Sequence, residues 1–277
     1  GKGIPSVKSG LHSCSHAVLE ALAKSSPNPL PRHVLEYRTI SKLQSTYVTS
    51  LLDQVNPYTK RIHTTFQNAL TNTGRLSSVN PNVQNIPVRT AEGKVIRKAF
   101  TSKKDHLIIK ADYSQVELRV LSHMAKIPVL QDAFMHGKDV HAITASQVFE
   151  VPVEEVSKDE RRKAKSINFG IIYGMSEYGL SKQIGVSVDV AREYIAGYFK
   201  QYPGIKQYME TTINFCRENG FVNTMFGRRC YIPNIKHPTK RSYAERAAIN
   251  TPIQGTAADI IKIAMIRICD AMLEKKL

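Results

Sequence analysis

Between Arg161 and Gly174 the chain reads RRKAKSINFGIIYG, with Arg161, Lys165, Phe169 and Tyr173 spaced four residues apart. In a helix each step of four turns about 400°, so the set drifts only about 40° per step and keeps to one face. Twelve residues at about 1.5 Å rise make that face roughly 18 Å long. Two cations followed by two aromatics suit a ligand with phosphates at one end and a flat ring at the other. The same letters also fit an amphipathic helix with a basic edge and two core aromatics. Ile167 and Ile171 fall on the other side of the helix, away from this stripe.

A second candidate is Asp112, at the end of the apolar run LIIKADY, Leu107–Tyr113, which has the length of a strand. Ser114 then caps a helix expected to reach Met124, and Glu117, three residues on, completes a capping box. A carboxylate at a strand end is placed to hold Mg²⁺, which keeps several waters and takes one or two carboxylates plus substrate phosphates. The bland reading is an aspartate marking a strand-to-helix turn. Arg246, Asn250 and Gln254 repeat every four residues and form one helical stripe. Such side chains suit the minor-groove acceptors that all base pairs share. Arg75, Gln84, Asn85 and Arg89 surround Asn80–Pro87, whose two prolines and three asparagines predict an irregular loop.

The elements that must position these residues are mostly helices. Apolar spacing predicts helices at His16–Lys24, Val34–Leu52, Pro128–Met135, Asp139–Phe149, Val153–Tyr173, Gly179–Ile184, Ser187–Gln201 and Pro203–Asn219. Ser242–Asn250 and Pro252–Leu273 are also helical, with Pro252 either opening the second or kinking the pair. Arg61–Ala69 alternates as a strand does. Gly220–Ile232 reads as a hairpin turning near Phe226–Gly227. The class is α+β, dominated by helix, with a small antiparallel sheet.

Composition narrows the partners. Lys and Arg outnumber Asp and Glu by 39 to 23, a net charge of +16, which favours polyanions without naming one. Cys14, Cys216, Cys230 and Cys269 have no C-x-x-C spacing, so buried single thiols are expected rather than zinc or disulfides. Lys262, Arg267 and Asp270 interrupt the most apolar tract, Ile260–Leu273, which rules it out as a membrane span. A reducing, nucleic-acid-containing compartment is the expected setting.

The motif R-x-x-x-K-x-x-x-F-x-x-x-Y-G resembles the nucleotide-binding helix of the family A DNA polymerases, the DNA polymerase I family. DYSQVELR, Asp112–Arg119, is similar to that family's first catalytic carboxylate segment. TGRLSSVNPNVQNIPVR, Thr73–Arg89, resembles its template–primer contact region. ERAAINTPIQGTAADIIK, Glu245–Lys262, resembles the palm helix that touches the duplex, and VLEYRTISKLQSTY, Val34–Tyr47, the end of the thumb. Order and spacing match over nearly all 277 residues, with wording closest to bacterial members. The resemblance implies a right-hand polymerase fold. Residues 1–70 would be partial thumb and the start of the palm, and 71–125 palm with the template–primer loop. Residues 126–240 would be fingers, and 241–277 a palm helix.

The resemblance also implies roles. Asp112 would bind Mg²⁺, one of two ions in the complete enzyme. Arg161 and Lys165 would hold the triphosphate, with Lys165 also a general acid toward pyrophosphate. Phe169 would stack near sugar and base, Tyr173 would lie against the templating pair, and His141 would contact phosphate. Tyr113, Gln115 and Glu117 would complete the nucleotide site, with Glu117 excluding a ribose 2′-hydroxyl. Arg38, Lys42, Arg75, Gln84, Asn85, Arg89, Arg246, Asn250 and Gln254 would contact DNA. The partners implied are primer–template DNA and deoxyribonucleoside triphosphates (dNTPs), for a monomer in the bacterial cytoplasm or nucleoid.

One departure stands out. The family's second catalytic aspartate lies in a V-H-D-E motif soon after the Gln254 helix, and no His-Asp-Glu follows Gln254 here. The chain also opens on Gly1, inside thumb-like sequence. The expectation is a piece of a longer DNA polymerase, inactive alone but able to bind DNA and dNTPs. A non-catalytic nucleic-acid- and nucleotide-binding module is the alternative. A single-subunit RNA polymerase is the third reading, and Glu117 argues against it because such enzymes carry a small residue there.

Overall fold

Side-chain caps explain where several of the helices begin. The computed structural model describes residues 13–88 and 90–275. The chain divides into two units, one containing Ser77–Lys110 and everything up to Gln67, the other Asn68–Leu76 with Ala111–Leu277.

In the first unit, α1 (His16–Ser25) and α2 (Leu30–Leu43) lie against each other. The single helix expected over Val34–Leu52 is α2 continued by a π-helical stretch, Gln44–Thr49, and a last turn, α3 (Ser50–Leu52). The strand expected over Arg61–Ala69 shortens to β1 (Thr65–Gln67), which pairs antiparallel with β2 (Ser77–Val79), Phe66 opposite Ser78. Helix α4 (Ala91–Lys98) is absent from the sequence-based expectations. Its signal was Thr90, whose hydroxyl accepts the Gly93 N–H at 3.1 Å as an N-cap does.

The second unit carries most of the core. Helices α5 (Val116–Met124), α6 (Pro128–Met135), α7 (Val140–Phe149), α8 (Lys158–Ile172), α9 (Glu177–Ile184), α10 (Val188–Gln201) and α11 (Pro203–Asn219) follow one another. Pro128 and Pro203 open α6 and α11, where a missing N–H costs nothing. Asp139 caps α7, Ser176 caps α9 and Ser187 caps α10, while Ser157 and Glu160 form a capping box at α8. The expected helix over Val153–Tyr173 therefore splits into a 3₁₀ turn, Val153–Glu155, and α8. Leu118, Leu121, Leu130, Val140, Ile167, Ile171, Tyr198, Tyr202 and Ile253 pack into one buried cluster.

The hairpin forms as β3 (Phe221–Asn223) and β4 (Arg229–Tyr231), Val222 opposite Cys230. A single helix, α12 (Arg241–Glu274), then takes Pro252 in its interior instead of breaking there. Pro252 removes a backbone donor from the ladder. Beside that gap the Tyr208 hydroxyl donates to the Ile249 carbonyl at 3.0 Å. No helix among the described residues is long and apolar enough to cross a membrane.

Three expectations need correcting. Leu107–Tyr113 forms no strand, and Leu107 and Ile109 are 89% and 88% exposed. An apolar run becomes a strand only where a partner satisfies its backbone groups, and no described segment pairs with it. Ser114 and Glu117 form no capping box, because Gln115, at φ 54° and ψ 36°, stands between Ser114 and the helix start. Glu117 has other partners, given below. Cys216 and Cys230 are buried as expected, but Cys14 and Cys269 are exposed.

Gly204 is the second residue of α11, where the helix meets the end of α5. A Cβ there would fall well inside contact distance of the Ala125 carbonyl oxygen, a backbone atom with little room to move. Gly204→Ala is expected to lower the unfolding free energy by about 1–3 kcal/mol, the usual cost of overpacking. A shifted midpoint with unchanged slope in chemical denaturation would show this, and an unshifted midpoint would mean the two backbones separate freely.

Candidate functional site

The capping box at Ser157 sets the phase of α8, and packing of Ala164, Ile167 and Ile171 into the core turns the opposite face outward. On that face Arg161 and Lys165 are exposed, Phe169 is half-buried and Tyr173 caps the helix end. The Phe169 and Tyr173 rings are near parallel, centroids 6.4 Å apart at 19°. Helix α7 runs alongside, and its His141 imidazole lies 6.0 Å from the Phe169 ring.

The two ends of this stripe are tied differently. At its start, Arg161 Nε donates to Asp139 Oδ2 at 2.5 Å, while Asp139 Oδ1 accepts the backbone N–H groups of His141 and Ala142. Partial burial pushes the Asp139 carboxyl up. The Arg161 hydrogen bond and those two amides outweigh it and hold its pKa below the ordinary value. Lys165 has no carboxylate partner among the described residues, whereas Lys163 is paired with Asp159 at 2.8 Å. At the far end the Tyr173 hydroxyl donates to Glu117 Oε2 at 2.8 Å, and Arg75 pairs with Glu117 Oε1. Glu117 is only 9% exposed, so a buried carboxylate joins residues from three segments.

Arg75 reaches Glu117 because Arg228 clamps its loop. The Arg228 guanidinium donates to the Thr73 carbonyl at 2.8 Å, to the Gly255 carbonyl at 3.2 Å, and to Asp259 at 2.8 Å. Arg246 joins from α12. Gly174 has φ 62°, and a Cβ there would lie 2.7 Å from Arg246 Cγ, so the turn ending α8 sits directly on that side chain. Further along α12, Asn250 keeps a buried Oδ1 with no partner, and Gln254 is half-buried.

Asp112 and Tyr113 are exposed in irregular chain, and Gln115 leaves a buried Oε1 without a partner. No group of three or more His, Cys, Asp or Glu side chains suited to a metal ion occurs among the described residues. In the first unit, Lys42 and Asn85 line a polar cavity of about 640 Å³ with Thr46, Tyr47, Asn80 and Asn82. Gln84 lies in the adjoining loop, its N–H donating to Asn82 at 3.1 Å. Arg38 donates to the Cys14 carbonyl at 2.6 Å. Arg89 lies outside the described residues.

Sequence reading missed Asn168, Asp139 as a partner of Arg161, and Arg228. Asn168 is 1% exposed, and its amide touches both His141 Nδ1 and Thr144 Oγ1 at 3.1 Å. The available signal was a lone Asn on the apolar side of the predicted helix. His141 is 3% exposed, and burial lowers its pKa from 6.5 to about 4. Asp139 opposes that shift, while Arg161 and Lys165 reinforce it.

A sequence model described as DNA polymerase family A matches residues 2–277. DNA polymerase I of Pseudomonas aeruginosa is 54% identical over 261 residues, covering 94% of this chain and 28% of that protein. DNA polymerase I of Geobacillus stearothermophilus is 49% identical over 269 residues, covering 96% of this chain and 30% of that protein. The chain thus spans under a third of the length of these relatives. Among solved structures, the POL domain of Pol1 from M. smegmatis, in complex with DNA primer-template and dNTP, superposes with a TM-score of 0.88. It is 38% identical, and the match covers 99% of this chain and 48% of that one.

The buried imidazole predicts an acid weakness. An unfolded His141 takes its proton near pH 6.5, but the folded chain resists until about pH 4. Acidification through that window therefore favours unfolding, by roughly 3 kcal/mol once complete. His141→Gln is expected to flatten the dependence of unfolding free energy on pH between these values. An unchanged slope in denaturation at stepped pH would contradict it.

Proposed function

Because the chain belongs to DNA polymerase family A, we propose that it supplies the nucleotide-holding surface of a DNA-directed DNA polymerase. Such an enzyme adds dNTPs to a primer 3′-hydroxyl by phosphoryl transfer and serves DNA replication and repair. The observation that carries the reading is the α8 stripe: Arg161 and Lys165, then stacked Phe169 and Tyr173, closed by Glu117. Arg161 and Lys165 hold the phosphates, and Lys165 donates a proton to the departing pyrophosphate. Phe169 and Tyr173 face the sugar and base. Glu117, fixed by Arg75 and Tyr173, leaves no space for a 2′-hydroxyl.

Arg246, Asn250 and Gln254 follow the minor groove beside the new base pair. Arg38, Lys42, Gln84, Asn85 and Arg89 hold the primer–template backbone, in keeping with the net charge of +16. Residues 1–70 serve as thumb and the start of the palm, 71–125 and 241–277 as palm, and 126–240 as fingers. The protein acts as a monomer in the bacterial cytoplasm.

When bound, Mg²⁺ would stabilise charge on the transferring phosphoryl group, with Asp112 as its ligand. The described residues do not by themselves fit a complete two-ion site, since Asp112 stands without a carboxylate cluster. The 277-residue chain alone is therefore expected to bind dNTP and DNA but to add no nucleotide. Steady template-dependent primer extension by this chain with Mg²⁺ would overturn that expectation.

Nucleotide binding itself is tested by two neighbouring lysines. Lys165→Ala is expected to weaken dTTP binding on primer–template DNA ten- to a hundredfold, the usual loss of about 1.5–3 kcal/mol for a charge-assisted hydrogen bond. Lys163→Ala, which breaks only the Asp159 pair, should leave binding nearly unchanged. Equal small losses in titration would reduce α8 to general basicity.

A further inference from the structure

We infer that Asn168 is a positioning residue that fixes His141 in the tautomer with its proton on Nε2, so that this N–H donates to the phosphates of a bound nucleotide. The second half rests on the nucleotide reading of α8; the first does not. Asn168 is buried on the flank of α8 just beside the stripe, and its Nδ2 lies 3.1 Å from both His141 Nδ1 and Thr144 Oγ1. An amide nitrogen only donates, so both contacts must be acceptors. The Thr144 hydroxyl donates to the Val140 carbonyl at 2.8 Å, one turn back, with Asn168 Oδ1 at 3.3 Å as its longer second acceptor, and its lone pairs stay free to accept from the Asn168 amide. A ring nitrogen that accepts carries no proton, which leaves the neutral imidazole's proton on Nε2.

The surroundings keep the ring neutral and still. Arg161 and Lys165 from α8, with Asp139 at the start of its own helix, are the charged groups facing it. The two cations and the burial oppose a charge on the imidazole. Phe169 covers one side of the ring, and Tyr202 Oη, 3.4 Å from Thr144 Oγ1, supports Thr144 from behind. Nε2 has no hydrogen-bond partner among the described residues. A neutral, fixed donor beside the long, flexible Lys165 side chain gives direction to phosphate binding that such a cation lacks.

Nitrogen-15 NMR of the unaltered chain tests the first half directly. Among its nine histidines, His141 is identified by loss of its signals in His141→Gln. The expected result is an unprotonated Nδ1 and a protonated Nε2 from about pH 5 to pH 9. A protonated Nδ1 would overturn the inference without recourse to any variant. Asn168→Asp puts an acceptor where the donor was, at almost the same shape. It should move the proton to Nδ1 and raise the His141 pKa. Binding of dTTP should then fall about tenfold near pH 8 and recover toward pH 6, where the imidazolium donates from both nitrogens. No such recovery is expected of the unaltered chain. Unchanged dTTP binding in Asn168→Asp, with the tautomer switched, would overturn the role toward phosphate. Failure of the unaltered chain to bind dTTP would instead sink the nucleotide reading, and the NMR result would stand apart from it.

Discussion

A side-chain amide buried between two helices must find partners for its polar atoms, or its desolvation counts against folding by about 1–3 kcal/mol. Asn168 meets that condition only when α7 presents Thr144 and His141 at one rotation and one height against α8. A slip of one residue along either helix would leave the amide unpaired in an apolar core. Hydrophobic contacts tolerate such slips far better, since Ile167 and Ile171 would meet other apolar atoms. The polar contact therefore supplies the register, and burial supplies most of the attraction. The face that Arg161, Lys165, Phe169 and Tyr173 share is aimed by that register.

The opposite end of the stripe follows the same logic with a charge. Glu117 is buried, and an unpaired carboxylate there would shift toward neutrality or expel itself. Arg75 and Tyr173 prevent both, and each comes from a different stretch of chain. The stripe is thus tied at one end by the Arg161–Asp139 pair and at the other by the buried Glu117, with the exposed Lys165 between them. Rigid ends and a mobile centre suit a surface that grips a flexible polyphosphate while holding a flat ring in place.

Much of this could be read from the letters, because helices announce themselves locally. Pro128, Asp139 and Ser187 mark starts by satisfying or lacking particular backbone groups, and those effects act within one turn, whereas apolar spacing sets the start of α8 at Val153, four residues ahead of its cap, Ser157. The four-residue period of the α8 stripe is equally local. What failed was non-local. Leu107–Tyr113 has a strand's composition, but a strand exists only through its partner. Ser114 looked like a cap until Gln115 adopted a left-handed conformation that a polar side chain tolerates and no pattern announces. Asn168, Asp139 and Arg228 owe their importance to residues 22 to 155 positions away, and spacing rules carry no information at that range.

The Arg228 clamp has a consequence for the order of events during synthesis. Asn68–Leu76 belongs to the later unit, although the first unit's chain flanks it on both sides. Its anchors, Arg228, Tyr231 and Lys262, lie 155, 159 and 194 residues downstream of the atoms they hold. At about 5–20 residues per second a ribosome needs on the order of ten seconds or more to deliver them. Throughout that interval the loop bearing Arg75 lacks these three anchors, and closing so long a loop is slow as well as entropically costly. The corner of the site beside Glu117 is accordingly among the last parts of the molecule to form, and a nascent chain exposes it to proteases and chaperones well after the α7–α8 pair has set.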